Sequence, residues 1–391
     1  MSTTVEPQRP EGFRSRFHPD ETLSYTLPAH YYYDPAIAAV EREEIWFKSW
    51  LLAGFLADLE NPGDYITVRI LDQLIAIVRG RDGALHAYYN VCMHRGHVLL
   101  EHKGNVRNIT CPFHAWTYDL DGTLKAAGNA ENVSDFDHGD FALAPVQVEE
   151  FLNMVFVNLD PAATSLASQA GDLAAMIRRV LPNFDQLQRV RRDSYEIMGN
   201  WKLYGDQLEC YHCPVLHPQI MGEDDSYLKL SWQTEEHGIW SVDIIEGQDE
   251  LLERMRKVLP FDVGPESMVK DVHIWFLWPN LLLMAHQGPA NFKLAQVLPT
   301  GTESMFRIVD NFVLNDPPNA HELAQMDNYV GTSVPQDRDA IEKQQLGMHA
   351  RGYTQGRLMV DREHSWRSEH GVHFFDDKVW QSLNGNRYET A

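Results

Sequence analysis

Two short segments, Cys92-Met93-His94 and Cys111-Pro112-Phe113-His114, constrain this chain more than any other feature. Each carries a cysteine with a histidine two or three positions later, and sixteen residues separate His94 from Cys111. Two thiolates and two imidazoles form a metal-ligand set, so the fold has to bring two loops to one point. Two centres accept that set: a [2Fe–2S] cluster in which two histidines replace two cysteines on one iron, and a tetrahedral zinc. The order of the ligands favours the cluster. Each loop offers one ligand of each type, whereas a zinc finger groups its cysteines and then its histidines.

At 391 residues the chain is long enough for two domains, each with its own core. No apolar run reaches membrane-spanning length, and the start MSTTVEPQRPEG is polar, without the apolar core of a signal peptide. A soluble cytoplasmic protein is the expectation. The net charge of −23 argues against nucleic-acid and anionic-membrane partners.

The segment AIAAVEREEIWFKSW from Ala36 to Trp50 has helical periodicity. From Asp64 the pattern turns to strands: YITVRI, LIAIVRG, LHAYYNVC and, from Met154, MVFVNLDP, ending at Pro161. An all-β domain over 46–160 therefore carries the cluster loops at its tips. Helical patterning returns at Leu173–Leu181 and around Glu209, and strand-like segments follow at 239–245, 272–285, 291–298 and 304–314. A late helix is expected from Asp337 to Ala350. The order fits an α+β second domain with an antiparallel sheet.

A second cluster of chemistry lies in NWKLYGDQLECYHCPVLHP, from Asn200 to Pro218. His212 and His217 come together if the helix turns or breaks at Pro214, and Glu209 shares a helix face with His212. Two histidines and one carboxylate hold non-haem Fe(II) with positions open for O2. Spacing alone does not select the carboxylate; Glu209 and Asp206 are the local candidates. Cys210 and Cys213 are read as buried structural thiols. A zinc site with His212 and His217 would be crowded, and a redox Cys-x-x-Cys pair lacks a thioredoxin-like βαβ context.

The strings CMHRGH and CPFHAWTYDLDG resemble the cluster-binding segments of the Rieske non-haem iron oxygenases. Similarity to the carnitine monooxygenase and betaine-oxygenase branch of that family extends through NAENVSDFD, VEEFLNMVFVNLDP, ECYHCPVLHP and RGYTQGRLM, weakening between Glu223 and Asp262. The resemblance implies an N-terminal segment, 1–45, packed with a helix-grip-like catalytic domain over 161–391. It implies a Rieske cluster on Cys92, His94, Cys111 and His114, and a mononuclear Fe(II) on His212 and His217. The family's third ligand is an Asp followed five positions later by Glu, which maps onto Asp337 and Glu342 with Asp339 as the nearest rival. The acidic residue three positions before the first histidine, Glu209, becomes an electron bridge between subunits of a homotrimer, reaching His94 of the partner subunit or His114 of the partner subunit. Asp206 stands where the family often has Asn.

The implied reaction is hydroxylation of a quaternary-ammonium or N-methylated small molecule with O2. A cationic substrate suits an aromatic box, for which Trp275, Trp278, Tyr204 and His286 are the candidates, with Phe276, Trp232 and Trp240 further contributors. Strand alternation sends Trp275 and Phe276 to opposite faces. The same aromatics with Leu281 and Leu283 suit an aromatic acid, the alternative substrate class. A bare Rieske electron carrier would need only the β domain. With no G-x-G-x-x-G fingerprint, NAD(P)H acts only through a separate reductase or ferredoxin, and Arg95, Lys103 and Arg107 are candidates to dock it.

Overall fold

The structure, a computed structural model, describes residues 15–218, 232–247 and 268–385, with positions 253, 256, 257, 259–261, 263 and 387. Much of the 223–262 segment, where the resemblance weakens, lies outside the described residues. The chain forms two compact units: Trp46–Gly171, and Met1–Ile45 together with Asp172–Ala391.

In the first unit strand-forming runs become a seven-stranded antiparallel sheet. Its order is Leu51–Phe55, Met154–Asn158, Pro145–Phe151, Leu85–Tyr89, Gln73–Arg79, Asp64–Ile70 and Lys103–Asn105. A small sheet of Ile109–Thr110, Thr117–Tyr118 and Leu124–Ala126 accompanies it. The core of the small sheet, including Trp116, Tyr118, Leu120 and Leu124, contains both Cys92 and Cys111. Each fully buried side chain of this kind contributes about 1.5–3 kcal/mol. This unit runs to Gly171, beyond the 46–160 span expected for the β domain. The helix Leu166–Ala170 belongs with the β unit because Glu149 accepts hydrogen bonds from Ser165 Oγ (3.2 Å) and Ala167 N (3.3 Å).

The second unit is built on a seven-stranded antiparallel sheet. Its order is Gln188–Ile197, Ser304–Val313, Asn291–Gly301, Leu281–Ala285, Val272–Leu277, Trp240–Ile245 and Trp232–His237. The single segment expected at 272–285 is a hairpin, broken at Trp278-Pro279-Asn280 where the Trp278–Pro279 bond is cis. Directly opposed residues share a face. Register aligns Tyr195 and Val297 with Arg307, Leu282 with Ala295 and Phe276, and Met284 with Lys293 and Ile274. These residues therefore form one face, and Trp275, Leu283 and Leu294 lie on the other.

Residues before Ile45 join this unit through buried polar contacts. Glu41, 2% exposed, pairs with the fully buried Lys202 ammonium and accepts a 2.8 Å hydrogen bond from Trp201 Nε1. Phe17 stacks on His373 and Trp380 of the closing helix His370–Asn384. Removing either partner of the Glu41–Lys202 pair would strand a buried charge.

Candidate functional site

The cluster loops are two copies of one backbone design. Val91 bridges Val98, and Thr110 pairs with Thr117. Inside the first loop Cys92 N donates to His97 O (2.8 Å) and Gly96 N to Cys92 O (3.0 Å). The second loop repeats the pattern, with Cys111 N to Trp116 O (2.8 Å) and Ala115 N to Cys111 O (3.0 Å). The fourth residue after each cysteine has positive φ, 74° at Gly96 and 58° at Ala115. The left-handed turn is easy for glycine and strained for alanine.

This geometry buries both thiols and leaves the imidazoles outside. Cys92 and Cys111 are free and buried, whereas His94 and His114 are exposed, their rings 4.8 Å apart edge to face. His94 also stacks on Trp116, and Tyr118 Oη lies 3.4 Å from Cys92 Sγ while accepting a hydrogen bond from Met93 N (3.0 Å). Burial raises the Tyr118 phenol well above its ordinary range. Of the three basic residues near the loops, Lys103 is neutralised by a 2.7 Å contact with Asp58 and adds little to a docking field. Arg95 lies over Phe113.

In the second unit the histidine segment folds as a short helix Lys202–Gly205, a turn, and a short helix Cys213–Leu216 with Pro214 in its first turn. Proline is tolerated there because the first amides of a helix have no intrahelical partner. His212 caps the start of the second helix and His217 its end, which places their rings 5.6 Å apart. Asp337 arrives from the first turn of the helix Val334–Met348. The donor atoms of His212, His217 and Asp337 all lie within 4.8 Å of one another.

Each imidazole is oriented from behind. His212 Nδ1 is 2.6 Å from Glu209 Oε1, and His217 Nδ1 is 2.8 Å from Gln336 Oε1. With Nδ1–H donated outward, the Nε2 lone pairs are free for a metal. Burial works to lower the His212 pKa, but the hydrogen bond and charge of Glu209 outweigh it and raise the value. His217 Nε2 is 3.1 Å from Asp337 Oδ1. The rival Asp339 points elsewhere, 62% exposed and 2.6 Å from Lys343 Nζ, and Glu342 accepts from Met198 N. Asp206 is also apart from the triad, accepting from Tyr32 Oη (3.1 Å) and Gln344 Nε2 (2.9 Å), with burial raising its pKa to about 7.

Cys210 and Cys213 are buried as expected but are joined in a disulfide, so the reading of free thiols is corrected. A tight turn brings their Cα atoms to 4.9 Å. The bond occupies both sulfurs and removes the zinc alternative.

Of the four pocket candidates, Tyr204 comes near the triad through Arg307, which lies 3.6 Å from Asp337. Tyr204 is buried with Arg307 Cζ 4.7 Å from its ring centre, and it lines a small apolar cavity with Leu208, Phe276, Leu282, Val297 and Phe375. His286 lies 5.8 Å, ring to ring, from Tyr329. Trp275 is corrected: it lies on the opposite face of the sheet, donating from Nε1 to Met176 Sδ and stacked on His273. Leu283 shares that face. Trp278 packs against Trp201 and Phe375 at the end of its strand. Trp240, stacked on His237, also lies away from the triad's face, while Trp232 packs in the cluster that contains the disulfide.

Sequence reasoning missed Gln336, Arg307, Tyr195, Tyr329 and Lys293. Gln336 had a signal, its position beside Asp337 on one helical turn. Arg307 and Lys293 had a weaker one, each being a cation flanked by apolar residues in a strand.

Two family models match the chain: the Rieske [2Fe-2S] domain over residues 49–137 and the ring hydroxylating alpha subunit (catalytic domain) over residues 184–385. The carnitine monooxygenase oxygenase subunit of Escherichia coli (strain K12) is 34% identical over 375 residues, covering 95% of this chain and 96% of that protein. A glycine betaine monooxygenase oxygenase subunit of Pseudomonas aeruginosa (strain UCBPP-PA14) is 34% identical over 234 residues, covering 56% of this chain and 51% of its own length. Among solved structures, the quaternary ammonium Rieske monooxygenase CntA in complex with L-carnitine superposes with a TM-score of 0.81 at 30% identity. The match covers 96% of this chain and all of that one. Naphthalene 1,2-dioxygenase from Rhodococcus sp. shares the fold at 21% identity, with a TM-score of 0.74 and coverage of 93% and 95% of the two chains. The observed α+β fold, the two matched domains and the length of the first alignment place this chain in the Rieske non-haem iron oxygenases, as an oxygenase that works with a Rieske [2Fe–2S] cluster and a mononuclear iron.

Proposed function

We propose that the protein is a monooxygenase of quaternary-ammonium or N-methylated small molecules of the carnitine and betaine type. It is the terminal component of a system whose electrons come from NAD(P)H through a separate reductase or ferredoxin. The observation that carries the reading is the convergence of His212, His217 and Asp337 with both Nδ1 atoms already engaged. The relatives that act on carnitine and glycine betaine supply the substrate class.

In this reading the four residues would hold the cluster, Cys92 and Cys111 on one iron and His94 and His114 on the other. The burial of the thiols and exposure of the imidazoles support that division. His212, His217 and Asp337 hold the mononuclear iron, two nitrogens and one carboxylate oxygen being a donor set that suits Fe(II). The bound iron supplies O2 activation. Glu209 and Gln336 keep the two imidazoles in the tautomer a metal needs.

Glu209 has a second task. The carboxylate that braces His212 also carries the link to a neighbouring subunit of a homotrimer, accepting from His94 of the partner subunit or His114 of the partner subunit. A cyclic head-to-tail interface permits this because each subunit gives one surface and receives another. A further solved structure to which this chain is similar, that of a quaternary ammonium Rieske monooxygenase, is described in terms of inter-subunit electron transfer. Among the described residues no helix is long and apolar enough to cross a membrane; the reading puts the enzyme in the cytoplasm, with its nicotinamide-linked donor.

The test is product formation with reductant supplied, across carnitine, glycine betaine, proline betaine and benzoate. Turnover of a quaternary amine is expected. Hydroxylation of benzoate alone would replace this reading with the arene one. Asp337→Ala should lose mononuclear iron while keeping the cluster's absorption spectrum; retention of that iron would remove Asp337 from the ligand set.

A further inference from the structure

On the face of the sheet that meets the triad lies a buried guanidinium with work left to do. Arg307 is 2% exposed, yet its Nε and Nη1 have no hydrogen-bond partner. Its Nη2 donates to Tyr329 Oη (2.6 Å), and Asp337 Oδ2 is 3.6 Å from Nη1, close enough to attract but too long to bond. Two more donors nearby are idle: the hydroxyls of Tyr204, whose ring underlies the guanidinium, and of Tyr195, opposite Arg307 in the register. A second buried basic side chain, Lys293, stands 5.3 Å from the centre of the Tyr329 ring.

Unpaired buried donors on a charged group are costly. Arg307 and Lys293 both lie against the Tyr329 ring, and the one carboxylate beside Arg307, Asp337, would have its charge taken up by the proposed metal. An anion is what this corner lacks. The corner borders the apolar cavity, whose lining includes Tyr204 and Val297, the direct neighbours of Arg307.

We propose that Arg307, with the hydroxyls of Tyr204 and Tyr195, forms a subsite for the carboxylate of the substrate. This rests on the small-substrate oxygenase reading above and narrows it. The protein selects zwitterions, a quaternary or N-methylated amine carrying an acid group, over amines that lack one. Planar guanidinium donors match a carboxylate in a way an ammonium does not.

The experiment measures binding by calorimetry on the intact, iron-loaded protein, using pairs of probes that differ in the acid group. The first pair is γ-butyrobetaine and propyltrimethylammonium; the second is benzoate and benzyl alcohol. Wild type should bind γ-butyrobetaine more tightly than its partner by roughly ten- to hundred-fold, the range of a hydrogen bond to a charged group. Arg307→Met should erase most of that ratio, Arg307→Lys should keep part of it, and Tyr204→Phe should reduce it several-fold. Iron content, measured alongside, separates this role from support of Asp337: a merely structural Arg307 would weaken both members of a pair equally. If wild type prefers benzoate and ignores both amines, and Arg307→Met abolishes that preference, the anion site stands and the quaternary-ammonium reading falls. No preference for the acid in either pair, or a preference unchanged in Arg307→Met and Tyr204→Phe, overturns the proposal.

Discussion

At the scale of single residues, burial decides which charges the fold tolerates and at what pH. Lys293 is 2% exposed, its Nζ 3.5 Å from His286 Nδ1, and no carboxylate among the described residues pairs with it. Burial lowers its pKa to about 7, and burial together with Lys293 lowers that of His286. In the unfolded chain a lysine titrates near 10.4. Between those values the unfolded state holds a proton that the native state does not, so stability rises with pH across the window and the penalty is complete below it. Lys293→Met should therefore raise the melting temperature most at pH 6, by a free energy on the order of 4 kcal/mol, with the gain shrinking toward pH 10. Thermal melts across that range check it; a gain independent of pH would contradict it. His212 and His217 were legible at this scale because their spacing is local. Arg307 was not, since nothing in its neighbourhood along the chain says that the strand beside it carries Tyr195.

At the scale of elements, the metal-binding turn is held by close backbone approach. A Cβ built on Gly371, in the helix His370–Asn384, would lie 2.4 Å from the carbonyl oxygen of Leu208, the residue before Glu209. A backbone carbonyl cannot swing aside as a side chain can. Gly371→Ala is expected to cost about 1–3 kcal/mol and to lower turnover by disturbing Glu209. Gly347, in the helix that carries Asp337, has open space around it. Gly347→Ala should be neutral or stabilising by up to about 1 kcal/mol, the helix-propensity difference. Denaturant titration of the two variants tests the contrast, and equal costs would show that the approach at Leu208 does not matter. The late helix beginning near Asp337 was visible in the sequence. The strand Gln188–Ile197, rich in arginine and carrying only a partial apolar face, was not, because its pairing with Ser304–Val313 supplies what its composition lacks.

At the scale of the whole molecule, the proposed trimer makes a prediction no single chain can satisfy. Cys111→Ser subunits should lack the cluster and Asp337→Ala subunits the mononuclear iron, so each alone is inactive. Co-expressed and mixed within trimers, they should recover turnover, because the cluster of one subunit would serve the iron of its neighbour. Electron transfer confined to one subunit would give mixtures as inactive as their parents. Glu209→Gln should retain both metals in every subunit and still lose most coupled turnover; normal turnover would rule out the bridge.

By itself the sequence determined the chemistry. Cys92 with His94, Cys111 with His114, and His212 with His217 lie in three short segments, and local turn geometry is enough to bring the two members of each pair together. Tertiary structure decided everything that depends on which distant strands and helices meet. It turned Asp337 inward and Asp339 to solvent, and set Trp275 against Met176 on the far face. It also buried Arg307 beside Tyr204 with two guanidinium nitrogens unpartnered. Side chains on a strand alternate by rule, but only the folded sheet determines what covers each face.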